Sequence, residues 1–262
     1  MPNQTLAGKV AIVTGCGSPG GIGAACARRL LADGATVIVT DRVAEDAARV
    51  AADMDGAVSS MGVDVTDRAQ IDACVSSVLG QHGRIDILIN NAGTSAGAKP
   101  FLEITAEDWA QSLGVNLKGT ADFCQAVIPA MQAQGEGVIV NMSSMVGLAA
   151  QRAFGAYTTT KHGLIGMTKT IAAEFGPDGI RCVAVCPGFI ATDFHEAVNQ
   201  RMADEQGVTL EDIHKQRYAT VALRRAGTAD EVAGLVAFAC GPEGRYITGV
   251  PLAVTGGVQM GL

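Results

Sequence analysis

The segment Val10-Ala-Ile-Val-Thr14-Gly-Cys-Gly-Ser-Pro-Gly-Gly-Ile-Gly23 joins an apolar run to a glycine-rich turn, and Ala24-Ala-Cys-Ala-Arg-Arg-Leu-Leu31 follows it. A run that is apolar on both faces reads as a strand buried in a parallel sheet, and the Ala-rich stretch behind it reads as helix. Glycine lets the backbone turn tightly and approach a pyrophosphate, which then sits at the positive end of the helix. A glycine turn between the first strand and the first helix is therefore a dinucleotide-binding signal. Gly15, Gly17, Ser18, Gly21, Ile22 and Gly23 are its candidate cofactor contacts.

The same alternation continues outward. Thr36–Thr40, Val58–Val65, Ile85–Ile89, Val138–Asn141 and Cys182–Cys186 read as strands, separated by helical stretches such as Ala44–Met54 and Asp67–Leu79. Apolar strands joined by helical crossovers predict an α/β, doubly wound parallel sheet of the Rossmann kind, with helices on both faces. No linker divides residues 1–262, so one domain is expected. Residues 189–225 break the rhythm: they are polar and charge-rich, with no clear strand, and read as an irregular substrate-binding insertion.

Composition removes several classes. Hydrophobic residues are 48% and charged residues 17% of the 262, the opposite of a disordered chain. No apolar run approaches the ~18 residues of a membrane span, and residues 1–9 lack the basic and apolar pattern of a signal peptide. Nineteen Lys+Arg against 26 Asp+Glu leave a charge of −7, which argues against nucleic acid as the main partner. The seven cysteines form no Cys-x-x-Cys pair and no zinc spacing, and read as small buried hydrophobes of a reducing cytoplasm. His82, His162, His195 and His214 are dispersed, so no metal site is expected.

Asp41 ends the second strand, 18 residues beyond Gly23. A carboxylate there accepts both ribose hydroxyls of NAD and repels the 2′-phosphate of NADP. Arg42 beside it either meets a phosphate or packs its guanidinium near the adenine. Tyr157-Thr-Thr-Thr-Lys161 places a phenol and an ammonium on one helix face, one turn apart. Lowering a phenol pKa by ~3 units takes ~4 kcal/mol, about what a cation ~4 Å away supplies at an effective dielectric near 20. Burial acts in the other direction, so a second positive charge, such as an oxidised nicotinamide ring, is needed as well. Ser143 and Ser144, Asn90-Asn-Ala-Gly93 and Pro187-Gly-Phe-Ile-Ala-Thr192 follow strands, and Asn116 interrupts a helical stretch. Polar and glycine-bearing strand ends on one rim describe a single cleft.

Together these residues resemble the classical short-chain dehydrogenase/reductase (SDR) family, from Thr14 to Gly257. The resemblance implies that Tyr157 is the acid/base, that Ser144 holds the substrate oxygen, that Lys161 binds the nicotinamide ribose and depresses the tyrosine pKa, and that Asn116 anchors a proton-relay water. It places Asp64 and Val65 at the adenine and Asn91, Ala92 and Gly93 at the adenine-side ribose and sheet. Pro187, Gly188, Ile190 and Thr192 fall at the nicotinamide end. Five residues, Cys16 to Gly20, stand where the family usually has three, so the glycine loop must bulge.

The expected activity is hydride transfer between nicotinamide C4 of NAD and a secondary alcohol or ketone. An NADPH-dependent 3-oxoacyl-carrier-protein reductase is the alternative, and a catalytically silent dinucleotide-binding or redox-sensing protein is the remote one. Enoyl reductases of the family space Tyr and Lys more widely than here. Thr94, Ser95, Met145, Phe154, Phe189 and His195 are candidate substrate contacts, alongside Ser144 and Tyr157. They are compatible with a polyol, a sugar, a cyclic ketone or a hydroxyacyl compound. Small and apolar residues in Trp109–Gln134 and Phe154–Phe175 exceed what one buried face needs, and in the resembling family such helices pair into homotetramers.

Overall fold

Seven parallel strands form one sheet in the computed structural model, which describes residues 4–258. They are β1 (Val10–Thr14), β2 (Thr36–Asp41), β3 (Val58–Gly62), β4 (Ile87–Asn90), β5 (Gly137–Met142), β6 (Ile180–Pro187) and β7 (Pro251–Val254). Their order is β3-β2-β1-β4-β5-β6-β7, so the direction of winding reverses between β1 and β4. The doubly wound parallel sheet read from the sequence is the observed fold.

Side chains alternate across each strand and feed two separate cores. Ala11, Val13, Val37 and Val39 pack on one face with Leu30 of α1 (Ile22–Ala32). On the other face Ile12, Ile38 and Leu88 meet Val75 of α3 (Arg68–His82) and Phe123 and Val127 of α5 (Gly119–Gln134). Each fully buried Ile, Leu or Phe contributes roughly 1.5–3 kcal/mol of transfer free energy. The chain also forms α2 (Ala44–Ala52), α4 (Ala106–Ser112) and α6 (Gly155–Phe175). All seven cysteines are buried and unpaired, and burial pushes every thiol pKa up.

Two sequence expectations are corrected. The third strand stops at Gly62 rather than Val65. The Asp64 carboxylate accepts from both the N–H (2.9 Å) and the hydroxyl (2.7 Å) of Thr66, a turn that ends the ladder before Asp67 caps α3. Residues 189–225 are not irregular: they contain α7 (Asp193–Gln206) and α8 (Leu210–Tyr218). Thr192 caps α7, Gly207 closes it in the left-handed conformation at φ 65°, and Thr209 and Asp212 form a capping box on α8. A last helix, α9 (Ala229–Cys240), packs beside α1 in the first core. Among the described residues no helix is long and apolar enough to cross a membrane.

The amino ends of β1, β4 and β5 are tied together by charge. Asp86, 3% exposed, accepts from the Val10 N–H at 2.9 Å, from Lys9 Nζ at 3.1 Å and from Arg84 Nε at 2.8 Å. Lys9 and Arg84 also reach Glu136, at 2.7 and 2.8 Å. Burial alone would raise the Asp86 pKa, but these donors outweigh it and hold the carboxyl below its usual range. Asp86→Ala should therefore cost about 2–3 kcal/mol, the upper part of that range reflecting two cations left unpaired and the lower their partial exposure. Chemical denaturation measures this; a loss below about 0.5 kcal/mol would show that the network is only a surface decoration.

Candidate active site

At the point where the winding reverses, the ends of β1 and β4 are clamped by side chains. Thr14 Oγ1 accepts from the N–H groups of Asn91 and Ala92, both at 3.0 Å. Asn91 Nδ2 in return donates to the carbonyls of Thr14 and Gly15, both at 2.9 Å. Gly15 has φ +70°, and a Cβ there would lie 2.7 Å from Ala92 Cα, so glycine is required. The Asn91 amide nitrogen is thus spent on shaping the glycine loop, while the residue also lines the cleft.

The cleft above this clamp has a volume of about 810 Å³ and runs along the carboxyl ends of the strands. Gly15, Gly17, Ser18, Gly21, Ile22, Asp41, Arg42, Asp64, Val65, Asn91, Ala92, Gly93, Pro187, Gly188, Ile190 and Thr192 all line it. Gly23 does not: it is buried under the loop, where a Cβ would meet Asn91 Nδ2 and the Gly15 carbonyl at 2.6 Å. The inserted residues form a turn closed by the Gly21 N–H on the Ser18 carbonyl at 3.0 Å. This turn carries Ser18 across the cleft mouth, where its hydroxyl donates to Asp193 of α7 at 2.8 Å.

These residues fit a nicotinamide dinucleotide. Gly21 at the N-cap of α1 supplies no side-chain acceptor, so the first N–H groups of that helix remain available to an anion. The Asp41 carboxylate takes the Gly17 N–H at 2.8 Å and the Val43 N–H at 3.3 Å. A carboxylate has about four acceptor sites, so two remain for a pair of ribose hydroxyls.

The far end of the cleft holds Ser144, Tyr157 and Lys161. Ser143 Oγ donates to the Lys161 carbonyl at 2.9 Å and pins α6 to β5, which leaves Ser144 to face the cleft. Lys161, 4% exposed, donates from Nζ to the Met142 carbonyl at 2.8 Å and sits 5.5 Å from the Tyr157 ring centroid. Desolvation lowers its pKa to about 8. Desolvation also pushes Tyr157 up to about 12, and the Ser144 hydroxyl offsets this only in part. Burial thus opposes the lowering by Lys161, the direction for which a second positive charge is needed.

Asn116 does not line the cleft; it is fully buried behind it, in a π-helical stretch (Leu113–Lys118) between α4 and α5. Its Oδ1 accepts from the Thr94 N–H at 2.8 Å, and its Nδ2 donates to the Thr94 carbonyl at 3.0 Å and to Thr160 Oγ1 at 3.3 Å. A wide turn of this kind commonly marks a functional site, and here it holds the loop after β4 against α6.

Among the candidate substrate contacts, Thr94, Met145, Phe154, Phe189 and His195 line the cleft, whereas Ser95 does not. The Ser95 carbonyl closes a turn by accepting from the Ala98 N–H at 2.9 Å. Sequence reasoning missed Gln151, Val198 and Arg217, which also line the cleft. The Thr209-x-x-Asp212 capping box was the available signal for the helix that carries Arg217. Among the described residues no three His, Cys, Asp or Glu side chains gather as a metal site.

Comparison with known proteins agrees with this geometry. The family model described as "Enoyl-(Acyl carrier protein) reductase" matches residues 15–259. The chain is 36% identical to "Dehydrogenase/reductase SDR family member 4" of Oryctolagus cuniculus, over 96% of this chain and 94% of that one. It is 37% identical to the 3-oxoacyl-[acyl-carrier-protein] reductase FabG of Thermotoga maritima, over 97% and 98%. It is 36% identical to a sorbitol dehydrogenase of Cereibacter sphaeroides, over 97% and 99%. A crystal structure of a short-chain dehydrogenase/reductase from Burkholderia xenovorans superposes with a TM-score of 0.90 at 32% identity, covering 97% of each chain. The protein belongs to the short-chain dehydrogenase/reductase family of oxidoreductases.

His195 provides a test of the substrate end. It is 8% exposed and its ring lies 5.6 Å from that of Phe189 and 6.3 Å from that of Tyr218. Burial, aided by the Arg217 charge, depresses its pKa to about 4. The folded pKa is below the unfolded value, so its contribution is full above about pH 6.5 and is lost as pH falls toward 4. Wild type should lose about 3 kcal/mol more than His195→Gln between those limits. Parallel stability–pH curves for the two proteins would refute the assignment.

Proposed function

We propose that this protein is an NAD-dependent oxidoreductase that moves hydride between nicotinamide C4 and a secondary alcohol or ketone. The observation that carries the reading is the Ser144, Tyr157 and Lys161 group at one end of a dinucleotide-sized cleft. A nicotinamide dinucleotide held in this cleft would supply or accept the hydride. Tyr157, whose raised pKa makes it a proton donor at neutral pH, gives its phenolic proton to a ketone oxygen, and takes it back when an alcohol is oxidised. Ser144 holds that oxygen by a hydrogen bond. Lys161, with its pKa near 8, is still charged at neutral pH and favours the phenolate that forms. The buried Asn116, joined to Thr160 beside Tyr157, fits the proton-relay end.

Asp41 supports NAD, because a carboxylate at the end of β2 repels a 2′-phosphate. A second reading, an NADPH-dependent 3-oxoacyl-carrier-protein reductase, draws on the cations beside it: Arg42 lines the cleft and Arg49 donates to the Gly17 carbonyl at 3.3 Å. Fluorescence titration of the purified protein with NADH and NADPH separates the two. We expect NADH to bind at least about tenfold more tightly, and Asp41→Ala to remove that preference, since a charge-assisted hydrogen bond contributes ~1.5–3 kcal/mol. Tighter NADPH binding would put the carrier-protein reductase first. Binding of a dinucleotide with no turnover of any secondary alcohol would leave the catalytically silent dinucleotide-binding or redox-sensing protein, and failure to bind either dinucleotide would overturn all three readings.

We further propose a homotetramer in the cytoplasm. Seven free, buried cysteines suit a reducing compartment. Phe101, Leu102 and Leu113, at 70%, 96% and 40% exposure, flank α4 and add apolar surface that assembly would cover. Light scattering should give four times the 26.8 kDa chain mass. A monomer at micromolar concentration would overturn the assembly.

A further inference from the structure

Among the described residues, Arg217 is the one arginine or lysine lining the substrate end of the cleft that the catalytic group does not use. Its guanidinium lies 4.3 Å from the centroid of the Phe189 ring, and Phe189 shares an apolar cluster with Tyr157, Met145 and Val146. Nη1 donates to Asn199 Oδ1 and approaches Met202 Sδ at 3.6 Å. Nε is buried without a hydrogen-bond partner, and Nη2 has none either among the described residues. No carboxylate lies within ion-pair distance of it among the described residues; the nearby Glu196 is engaged by His214 at 2.8 Å. The neighbouring His195 is neutral above about pH 4 and adds no charge.

A part-buried cation with open donors is costly unless an anion completes it. The stacked, planar fork of arginine is suited to two parallel hydrogen bonds from a carboxylate. We infer that Arg217 is a specificity-determining residue that binds a carboxylate on the substrate, so that the enzyme interconverts a secondary hydroxy acid and the corresponding oxo acid. The inference rests on the oxidoreductase reading above and narrows its substrate class. In the oxidative direction the carbinol C–H bond breaks and its hydride passes to NAD+. The hydroxyl proton passes to Tyr157 in its phenolate form, which the charges of Lys161 and NAD+ favour, as the C=O bond forms, and the carboxylate remains on Arg217 unchanged.

The test uses the full chain with NAD+ and NADP+ in turn. Secondary hydroxy acids of increasing chain length are each offered beside the matching amide and methyl ester. We expect kcat/KM for the best carboxylate to exceed that for its amide by about tenfold to 100-fold, the worth of one charge-assisted contact, with the difference carried by KM. Arg217→Met should erase the ratio and Arg217→Lys should keep part of it. Equal turnover of acid and amide, turnover of neutral alcohols alone, or a preference that survives Arg217→Met would each overturn the carboxylate site and leave the oxidoreductase reading standing.

If no alcohol of any kind is turned over, the oxidoreductase reading itself fails. The site is then judged by thermal shift of the NADH-mixed protein with glutarate against glutaramide. Stabilisation by glutarate alone, lost in Arg217→Met, would uphold the site, and no stabilisation would overturn it. Arg217→Lys keeps the comparison open should Arg217→Met fail to fold.

Discussion

Everything at the functional end hangs on the mutual hydrogen bonding of Thr14 and Asn91. A parallel sheet whose winding reverses must leave a gap between the two strands at the reversal, because their following segments depart to opposite faces. The gap is useful only if its walls are held apart at a fixed distance. Thr14 accepts two N–H groups of the segment after β4, while Asn91 satisfies two carbonyls at the start of the glycine loop. Four buried or part-buried backbone groups are satisfied by two side chains. The glycine loop, the start of α1 and the Gly93–Thr94 segment that reaches Asn116 all take their positions from this arrangement.

The two ends of the sheet solve opposite electrostatic problems. At the amino ends, charges are brought together and satisfied, and Asp86 stays ionised because its donors outweigh its burial. At the carboxyl ends, charged and polar groups are brought in and left incompletely satisfied. Tyr157 is kept protonated, Lys161 is weakened as a base-binding cation, and Arg217 keeps open donors. A site that must bind charge and move a proton needs that imbalance, and the stability it gives up is recovered elsewhere in the sheet.

The strands were legible because both faces of β1, β4, β5 and β6 are buried, which leaves continuous apolar runs in the sequence. The candidate site was legible because Asp41 ends β2, Ser144 follows β5, and Tyr157 and Lys161 lie one turn apart on α6. Less legible was the stretch after β6. In α7 only His195, Val198, Asn199 and Ala203 are buried, two of them polar, so no apolar stripe announces the helix; its caps, Thr192 and Gly207, were the better guide. Arg217 escaped notice for a related reason: its role depends on stacking against Phe189, far away in the chain. Gly23 was read as a ligand contact because a glycine that packs under a loop and one that touches a ligand leave the same trace in sequence. The Asn116 environment was foreshadowed by a poor helix former inside a helix, but the π-turn that accommodates it has no sequence mark.

The seven cysteines give the molecule a property unrelated to its chemistry. They are spread over β1–α1, α3, α5, β6 and α9, each buried and each held in its protonated, unreactive form. A thiolate is the species that alkylating reagents and peroxides attack. Since both sides of the sheet contribute thiols, no local opening of a loop or lid uncovers them all. The rate at which the full set is modified therefore clocks the global opening of the sheet, making the native thiols an internal gauge of kinetic stability.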